Sequence, residues 1–365
     1  MDAYSSIAVA GGDIESSWYT TRIVDVHGNS ITIDYINHSR GYLLIDKVTG
    51  YNSDGLIDGR LVTFTYVSLD EEDPDACLKL TEISSNGQLW QYNYELLAGF
   101  DPGYTFCGYN LTEVVLPSGQ RWQYEYYPRD NVVPGKFSLK KVTYPYGGVF
   151  DYTYQHVQFD PSNVHKTTSV ATKSTSGPNL APGAWTYTFA PNTYPVSNGS
   201  ADLTTITQPN GRTEYVHQGA SLTGYGNLWA VGLLLKTSVY SAADVLIEDV
   251  TTNWDKRLVS YENNWNGTYR DDETYAPVML VQHNWRNAGN HTVTYSNYDT
   301  YGNPGTVVES SNVGDELDRE TTYTYYSDTS AWIIGVTDDE TITGIGTVNR
   351  TINALGQLVS EDKYG

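Results

Sequence analysis

A hairpin pattern centred on glycine recurs along this chain and constrains its fold more than any other feature. Its clearest copy spans residues 111–126 (LTEVVLPSGQRWQYEY), where residues 117–119 (PSG) supply turn chemistry. After the turn, Trp122, Tyr124 and Tyr126 alternate with polar residues, so their rings share one face of a strand. The pattern predicts a β-hairpin with one aromatic face and one polar face.

The same pattern follows other glycines. Aromatic or β-branched residues stand three, five and seven positions after each of them. These glycines are Gly28, Gly59, Gly87, Gly119 and Gly147, and Gly211 follows Pro209-Asn210 in a further hairpin. Most intervals are about 30 residues, a period that marks repeat architectures. A unit between Gly147 and Gly211 is expected to include the alternating residues Trp185, Tyr187 and Phe189. We therefore expect the repeated glycines to occupy equivalent turns.

These features predict an all-β fold, with tandem antiparallel β-hairpin repeats forming a curved, spiralling sheet. No run of ten or more residues has apolar positions at helical spacing. The chain has 32 Tyr and 9 Trp but only 7 Phe and 2 Met. Tyrosine suits a surface that is apolar in its body and hydrated at its tip, so we expect one face to be partly hydrated.

The pattern also divides the chain. Residues 1–17 are poorly patterned, and residues 18–365 form the repeat array. Within the array, residues 18–160 carry regular hairpins and residues 184–365 carry divergent ones. Residues 161–183 are rich in Ser, Thr, Pro and Gly, which predicts an insertion loop or the exposed tip of a long hairpin. The chain stops within what reads as another repeat, so we expect it to be a piece of a longer protein.

Charge and composition narrow the range of possible binding partners. The formal net charge is −22, which argues against nucleic acid and against anionic membrane surfaces. No apolar run approaches the roughly 20 residues that a membrane span needs. Cys77 and Cys107 lie about one repeat apart; free thiols are the favoured interpretation, and a disulfide remains the alternative.

Two segments resemble the Rhs (YD-repeat) family. Residues 298–303 read Tyr-Asp-Thr-Tyr-Gly-Asn, and the family consensus is Tyr-Asp, two residues, Gly, then Arg or Asn. Residues 353–358 (NALGQL) form a sister segment with Asn in place of Asp. Residues 18–35 (WYTTRIVDVHGNSITIDY) and 331–344 (AWIIGVTDDETITG) are similar to stretches of the B and C components of insecticidal toxin complexes and of Salmonella plasmid-virulence B relatives.

The resemblance implies a hollow β-sheet shell that encloses a C-terminal toxin segment. It implies a structural, non-catalytic role in a bacterial protein that is secreted or displayed on the cell surface, exported by a route not encoded in this segment. The expected partners are the remainder of the shell and the enclosed toxin segment. No DPxGL-type core motif is present, so self-cleavage is not expected.

No catalytic motif stands out, and we predict no catalytic residues, no cofactor and no metal site. The sequence lacks a G-x-S-x-G elbow, a phosphate-binding loop and a dinucleotide fingerprint, and its histidines are scattered. An alternative function is a cell-surface adhesin or carbohydrate-binding module, with glycans or a receptor as partner. In that interpretation Trp90, Tyr92, Trp122 and Tyr124 bind the ligand. The competing interpretation is that these rings pack against one another between repeats, and their recurrence in nearly every unit favours it.

Overall fold

The structure is a computed structural model of the chain. It describes residues 19–37, 43–69, 78–96, 108–128, 134–160, 166–178, 181–196, 199–219, 229–263, 271–286, 289–313 and 318–364. Strands and turns dominate these residues, which contain no α-helix, and the all-β prediction is confirmed. Within these ranges no helix is long and apolar enough to cross a membrane. Cys77 and Cys107 lie outside the described residues.

Internal contacts divide the chain into two compact units. The first unit comprises Met1–Gln155 together with Thr172–Gly183, and the second comprises His156–Ala171 together with Ala184–Gly365. The boundaries between the two units fall inside strands of the chain.

In the first unit consecutive strands from β1 to β10 pair antiparallel with one another. This arrangement confirms tandem hairpins. The strands are β1 (Arg22–Val24), β2 (Ser30–Asn37), β3 (Leu43–Tyr51), β4 (Ile57–Ser68), β5 (Leu78–Ser85), β6 (Gln88–Leu96), β7 (Tyr109–Val115), β8 (Arg121–Tyr126), β9 (Leu139–Thr143) and β10, which begins in this unit (Val149–Val157).

The predicted insertion loop at residues 161–183 is wrong. Strand β11 occupies Thr167–Ser176, within the segment that the composition assigned to a loop. Its hydroxyl side chains are compatible with a half-hydrated sheet, because they bond across strands instead of filling a core. Thr172 Oγ1 lies 2.6 Å from Thr153 Oγ1 on β10. Ser and Thr therefore do not signal a loop in a sheet of this kind.

The second unit continues the antiparallel pairing of consecutive strands from β12 onward. Strand β12 carries the predicted alternation of Trp185, Tyr187 and Phe189. The strands are β12 (Gly183–Val196), β13 (Gly199–Gln208), β14 (Gly211–Gln218), β15 (Leu234–Ser241), β16 (Leu246–Asn263), β17 (Asp271–Arg286), β18 (Gly289–Ser296), β19 (Thr306–Ser311), β20 (Arg319–Asp328), β21 (Ile333–Ile342), β22 (Gly346–Ile352) and β23 (Leu358–Lys363).

Burial is shallow throughout the described residues. Their buried apolar residues are small or β-branched, and no large side chain among them is fully buried. The buried apolar set is Val142, Val157, Ala201, Val216, Val293 and Val348. Along β6 and β8, half-buried aromatic residues alternate with exposed polar ones. The predicted half-hydrated sheet face is thus present, and its stability depends on contacts between neighbouring strands rather than on a thick core.

Candidate functional site

Residues 298–303, which we call the YD segment, form a closed turn between β18 and β19. The amide of Asp299 donates to the carbonyl of Asn303 at 3.0 Å, and the amide of Gly302 donates to the carbonyl of Asp299 at 3.2 Å. Asp299 Oδ1 accepts from the amides of Tyr301 (2.8 Å) and Asn303 (2.9 Å), while Asn303 Nδ2 donates to Asp299 Oδ2 at 2.9 Å. Gly302 has φ +93°, the left-handed region that glycine adopts without strain. The Asp, Gly and Asn of the repeat therefore each have a definite role in the turn.

The same pair of backbone hydrogen bonds closes other turns along the chain. They join the first residue to the fifth and the fourth residue to the first, at residues 25–29, 52–56, 116–120, 144–148, 241–245 and 353–357. Asn52 and Asn353 use the side-chain oxygen as Asp299 does, accepting from amides two and four residues later. Prediction and structure agree for Gly28, Gly119 and Gly147, which occupy this turn.

Two of the predicted glycines, Gly59 and Gly87, do not occupy this hydrogen-bonded turn. Gly59 lies inside β4, and Gly55 takes the turn position because the Asn52 side chain caps the turn there. Gly87 lies instead in a two-residue turn with Asn86, where both have positive φ (75° and 50°). The expectation that all five glycines occupy equivalent turns was therefore wrong for Gly59 and Gly87. At Gly59 the Asn52 cap decided the turn position, which spacing alone did not show.

Hydrogen bonding within the turn stabilises the ionised form of Asp299. Partial burial opposes the negative charge, but the hydrogen bonds from the Asn303 side chain and from backbone amides outweigh it and lower the pKa of Asp299. The pKa of Asp25 is also lowered, chiefly by the side-chain hydrogen bond from Asn29. In both turns the carboxylate is a structural acceptor.

A second recurring contact joins each repeat to the one before it. Tyr126 lies at a β-bulge between β8 and β9, and its hydroxyl donates to the carbonyl of Leu111 on β7 at 2.8 Å. Leu111 is itself paired with Tyr94, at the bulge between β6 and β7 in which Thr112 has no partner residue on β6. The hydroxyl of one tyrosine thus bonds to the residue that pairs with the tyrosine of the preceding repeat.

We call this set of hydroxyl–carbonyl contacts the tyrosine ladder. In the first unit its members are Tyr35 to Thr20 O (2.7 Å), Tyr66 to Ile45 O (2.9 Å), Tyr94 to Leu80 O (2.8 Å), Tyr126 to Leu111 O (2.8 Å) and Tyr154 to Leu139 O (2.7 Å). Burial raises the pKa of Tyr66, Tyr94, Tyr126 and Tyr154. A tyrosine phenol is already protonated at neutral pH, the state that donates, and the raised pKa values extend that state to higher pH.

In the second unit an indole takes the place of one phenol. Trp254 lies at the bulge between β16 and β17, and its Nε1 donates to the carbonyl of Leu234 at 2.9 Å. Tyr298, the tyrosine of the YD segment, donates to the carbonyl of Met279, which is the residue paired with Trp254. The ladder therefore accepts different aromatic donors at equivalent bulges.

The aromatic residues predicted as an alternative ligand site lie on two strands. Trp90 and Tyr92 are on β6, and Trp122 and Tyr124 are on β8, all half-buried. The ring of Trp122 lies 4.3 Å from the ring of Tyr144. A row of contacts continues from there, because Tyr144 lies 5.2 Å from Phe150, over which Lys173 Nζ sits at 4.5 Å. Contact between repeats is thus observed for Trp122, while ligand binding by the four residues stays a prediction.

An aromatic cavity that spacing did not predict lies in the second unit. It has a volume of about 550 Å³ and is lined by residues of β12, β14, β15, β16 and the segment before β15. Tyr194, Trp229 and Trp254 contribute its rings. The sequence signal that could have found it is weak, since these residues follow no turn glycine at the repeat spacing.

The described residues contain no group of three or more His, Cys, Asp or Glu side chains that could hold a metal ion. Among the acidic residues, Glu340 is ion-paired with Arg350 at 3.0 Å, and Arg350 also pairs with Glu361 at 3.0 Å. This cluster joins β21, β22 and β23, so its carboxylates serve cross-strand pairing.

Comparison with known proteins gives structural neighbours but no family. No protein-family model and no curated protein matches the chain. Among solved structures, it is similar to TcdB2-TccC3 with 12% identity and a TM-score of 0.22, over 92% of this chain and 18% of that one. TcdB2-TccC3 without its hypervariable C-terminal region gives 13% identity and a TM-score of 0.23, over 97% of this chain and 18% of that one. This chain spans less than a fifth of each of those proteins, and at such TM-scores we base no argument on the likeness.

Proposed function

We propose that this chain is a non-catalytic wall segment of an Rhs-type shell that encloses or carries a C-terminal effector. The protein would be secreted or displayed on a bacterial cell surface. The tyrosine ladder, combined with the Asp- and Asn-capped turns, is the observation that carries the proposal. It supplies a physical reason for the residues that resemble the YD repeat.

The ladder suits a wall because it fixes each repeat to its predecessor without a core. Tyr126 Oη reaches back to Leu111 O, and Tyr154 Oη reaches back to Leu139 O, so identical contacts can be added repeat by repeat. A hairpin alone is marginally stable in water, whereas hairpins held in series cover a large area with few residues. Enclosure needs that property, and catalysis does not.

Side-chain chemistry in the described residues is consistent with this role. The carboxylates of Asp25 and Asp299 are held by turn hydrogen bonds, and Glu340 and Glu361 are held by Arg350. The carboxylates that the structure draws together thus have structural partners. The chain charge of −22 favours solubility and disfavours nucleic acid as cargo.

The test is protease protection in the full-length natural protein that carries this chain. We expect its effector segment to survive proteinase K while the shell is intact and to be digested once the shell is unfolded in urea. The same segment expressed alone is the control and should be digested at once. Equal digestion of the segment in both settings would show that the wall encloses nothing.

A further inference from the structure

The second unit contains a cavity whose lining is unlike the rest of the sheet. The floor includes Val216 and Thr252, which are only 2% and 7% exposed. Its volume of about 550 Å³ lies within the range of small-molecule sites, which runs from about 300 to 1,000 Å³. The aromatic rings of Tyr194, Trp229 and Trp254 line it, and aromatic walls with a few polar groups are typical of such sites.

The backbone around the cavity is well fixed. The amide of Gln218 donates to the carbonyl of Leu233, and the amide of Gly232 donates to the carbonyl of Gln218, both at 2.9 Å. These bonds attach the segment that contains Trp229 to the end of β14. Trp254 is fixed by its own hydrogen bond to Leu234 O at 2.9 Å. The rings are therefore held in place before any ligand binds.

Two side-chain nitrogens at the cavity lack acceptors. Gln218 Nε2 and Trp229 Nε1 are buried and have no hydrogen-bond partner, although both residues line the cavity. A buried donor without an acceptor costs about 1–3 kcal/mol, so such groups are rare unless they have a use. The Gln218 amide turns about a soft terminal torsion, which lets it meet an acceptor inside the cavity.

The charge of the lining favours an uncharged ligand. The described residues that line the cavity include no Asp or Glu, and their one cation is Lys236. Lys236 Nζ is ion-paired with Asp249 Oδ2 at 3.1 Å, and Ser238 Oγ donates to Asp249 Oδ1 at 2.5 Å. The lysine is therefore already neutralised, and the −22 charge of the whole chain disfavours anions.

We infer that this cavity binds a neutral saccharide unit. The C–H face of a sugar ring packs on Trp229, Trp254 or Tyr194, and a sugar hydroxyl accepts from Gln218 Nε2 once that amide turns toward the cavity. Thr252 and Asn253, which also line the cavity, offer hydroxyl and amide groups to the remaining sugar hydroxyls. This site is distinct from the stripe of Trp90, Tyr92, Trp122 and Tyr124, and it does not depend on the shell proposal.

The experiment is titration of the purified chain with cellobiose, lactose and N,N′-diacetylchitobiose, followed by tryptophan fluorescence and calorimetry. Glucuronic acid serves as the charged probe. We expect at least one neutral disaccharide to bind and glucuronic acid not to bind. Gln218→Leu should weaken that binding about tenfold, because one hydrogen bond is lost. The free variant should be at least as stable as the parent, because an unpartnered buried amide has been removed.

Matched variants make the outcome specific. Trp229→Ala should abolish binding, while Trp332→Ala, at a tryptophan that is 80% exposed, should leave it unchanged. Gln88→Leu, at an exposed glutamine on β6, is the control for Gln218→Leu. Circular dichroism checks that each variant is folded. If Trp229→Ala does not fold, the nearly isosteric Gln218→Leu still tests the site.

Three results would overturn the inference. The first is the absence of binding by all three neutral disaccharides. The second is binding that Gln218→Leu leaves unaffected. The third is binding lost in Trp90→Ala or Trp122→Ala but kept in Trp229→Ala, which would assign the ligand to the aromatic stripe of the first unit instead.

Discussion

The two units use the same contact between repeats, but with different regularity. In the first unit, Tyr66, Tyr94 and Tyr126 each lie at a bulge. The hydroxyls of these tyrosines and of Tyr154 each donate to a backbone carbonyl of the preceding repeat. In the second unit Trp254 takes that place, and the strands on either side of its bulge, β16 and β17, are 18 and 16 residues long. Tyr298 and Tyr325 of the same unit keep the phenol and donate to the carbonyls of Met279 and Pro304. The comparison shows that an indole can replace a phenol in this contact.

Irregularity also changes what the sheet can do. The regular spacing of the first unit brings rings such as Trp122 and Tyr144 together at 4.3 Å. In the second unit, the segment that contains Trp229 and the long β16 leave a cavity between aromatic rings. The regular unit thus packs ring against ring, and the divergent unit leaves a space between its rings.

Truncation of a ladder residue should have the largest effect. Tyr126→Ala removes a half-buried ring and leaves the Leu111 carbonyl without its donor, so we expect a loss of about 3 kcal/mol in the free energy of unfolding. Urea unfolding measures it. Tyr146→Ala is the control, because Tyr146 is 79% exposed and should change stability by less than about 0.5 kcal/mol. Equal losses at both positions would contradict a special role for the ladder.

Removal of the hydrogen-bond donor of a ladder residue, with an aromatic ring kept in place, should have the next largest effect. It tests whether the ladder contact contributes equally to stability in the two units. Tyr126→Phe and Trp254→Phe each delete one hydrogen bond to a backbone carbonyl, at a cost of about 1–2 kcal/mol. Trp332→Phe, at a tryptophan that is 80% exposed, is the control for the change in ring size. Should Trp254→Phe behave like this control, the indole would not be a ladder member.

Backbone geometry at the Gly119 turn should have the third-largest effect on stability. Gly119 has φ +81°, and no atom lies within 4 Å of the point that a Cβ would occupy, so Gly119→Ala adds backbone strain without a clash. The expected loss is about 1–2 kcal/mol, and Gly119→Asn should recover most of it because Asn tolerates this conformation. The midpoint of thermal unfolding checks both. A neutral Gly119→Ala would mean that the turn relaxes to another type.

The smallest effect concerns pH. The pKa of Asp299 is lowered in the folded state, so the unfolded chain takes up the proton first as the pH falls. The stabilisation is complete above the ordinary Asp pKa of about 4 and is lost as the pH falls through the folded value. Asp299→Asn, which copies the Asn353 turn, should cost less than about 1 kcal/mol at pH 7 and flatten this acid dependence. Urea unfolding between about pH 2 and 7 measures it, and an unchanged pH profile would exclude Asp299 as the source.

Local patterns account for most of what could be predicted. The alternation of Trp122, Tyr124 and Tyr126 specified a strand, and Gly28, Gly119 and Gly147 marked turns, because these signals act over a few residues. The wrong predictions share a cause. Gly59 has the repeat spacing, but the Asn52 cap moved the turn to Gly55, and the polar β11 resembles a loop by composition. The Asn52 cap acts within four residues but is not part of the glycine spacing, and β11 is held by bonds to a neighbouring strand that composition does not show.

The amino-acid sequence by itself determined the strand class, the hairpin period and the aromatic face, since all three follow from side-chain alternation and turn chemistry. Only the tertiary structure decided which carbonyl each tyrosine reaches, because a bulge shifts the register of a strand and bulges are set by its partner. Only the tertiary structure placed Gln218, Trp229 and Trp254 around one cavity. They lie on separate segments, and no local signal relates residues that meet through sheet pairing.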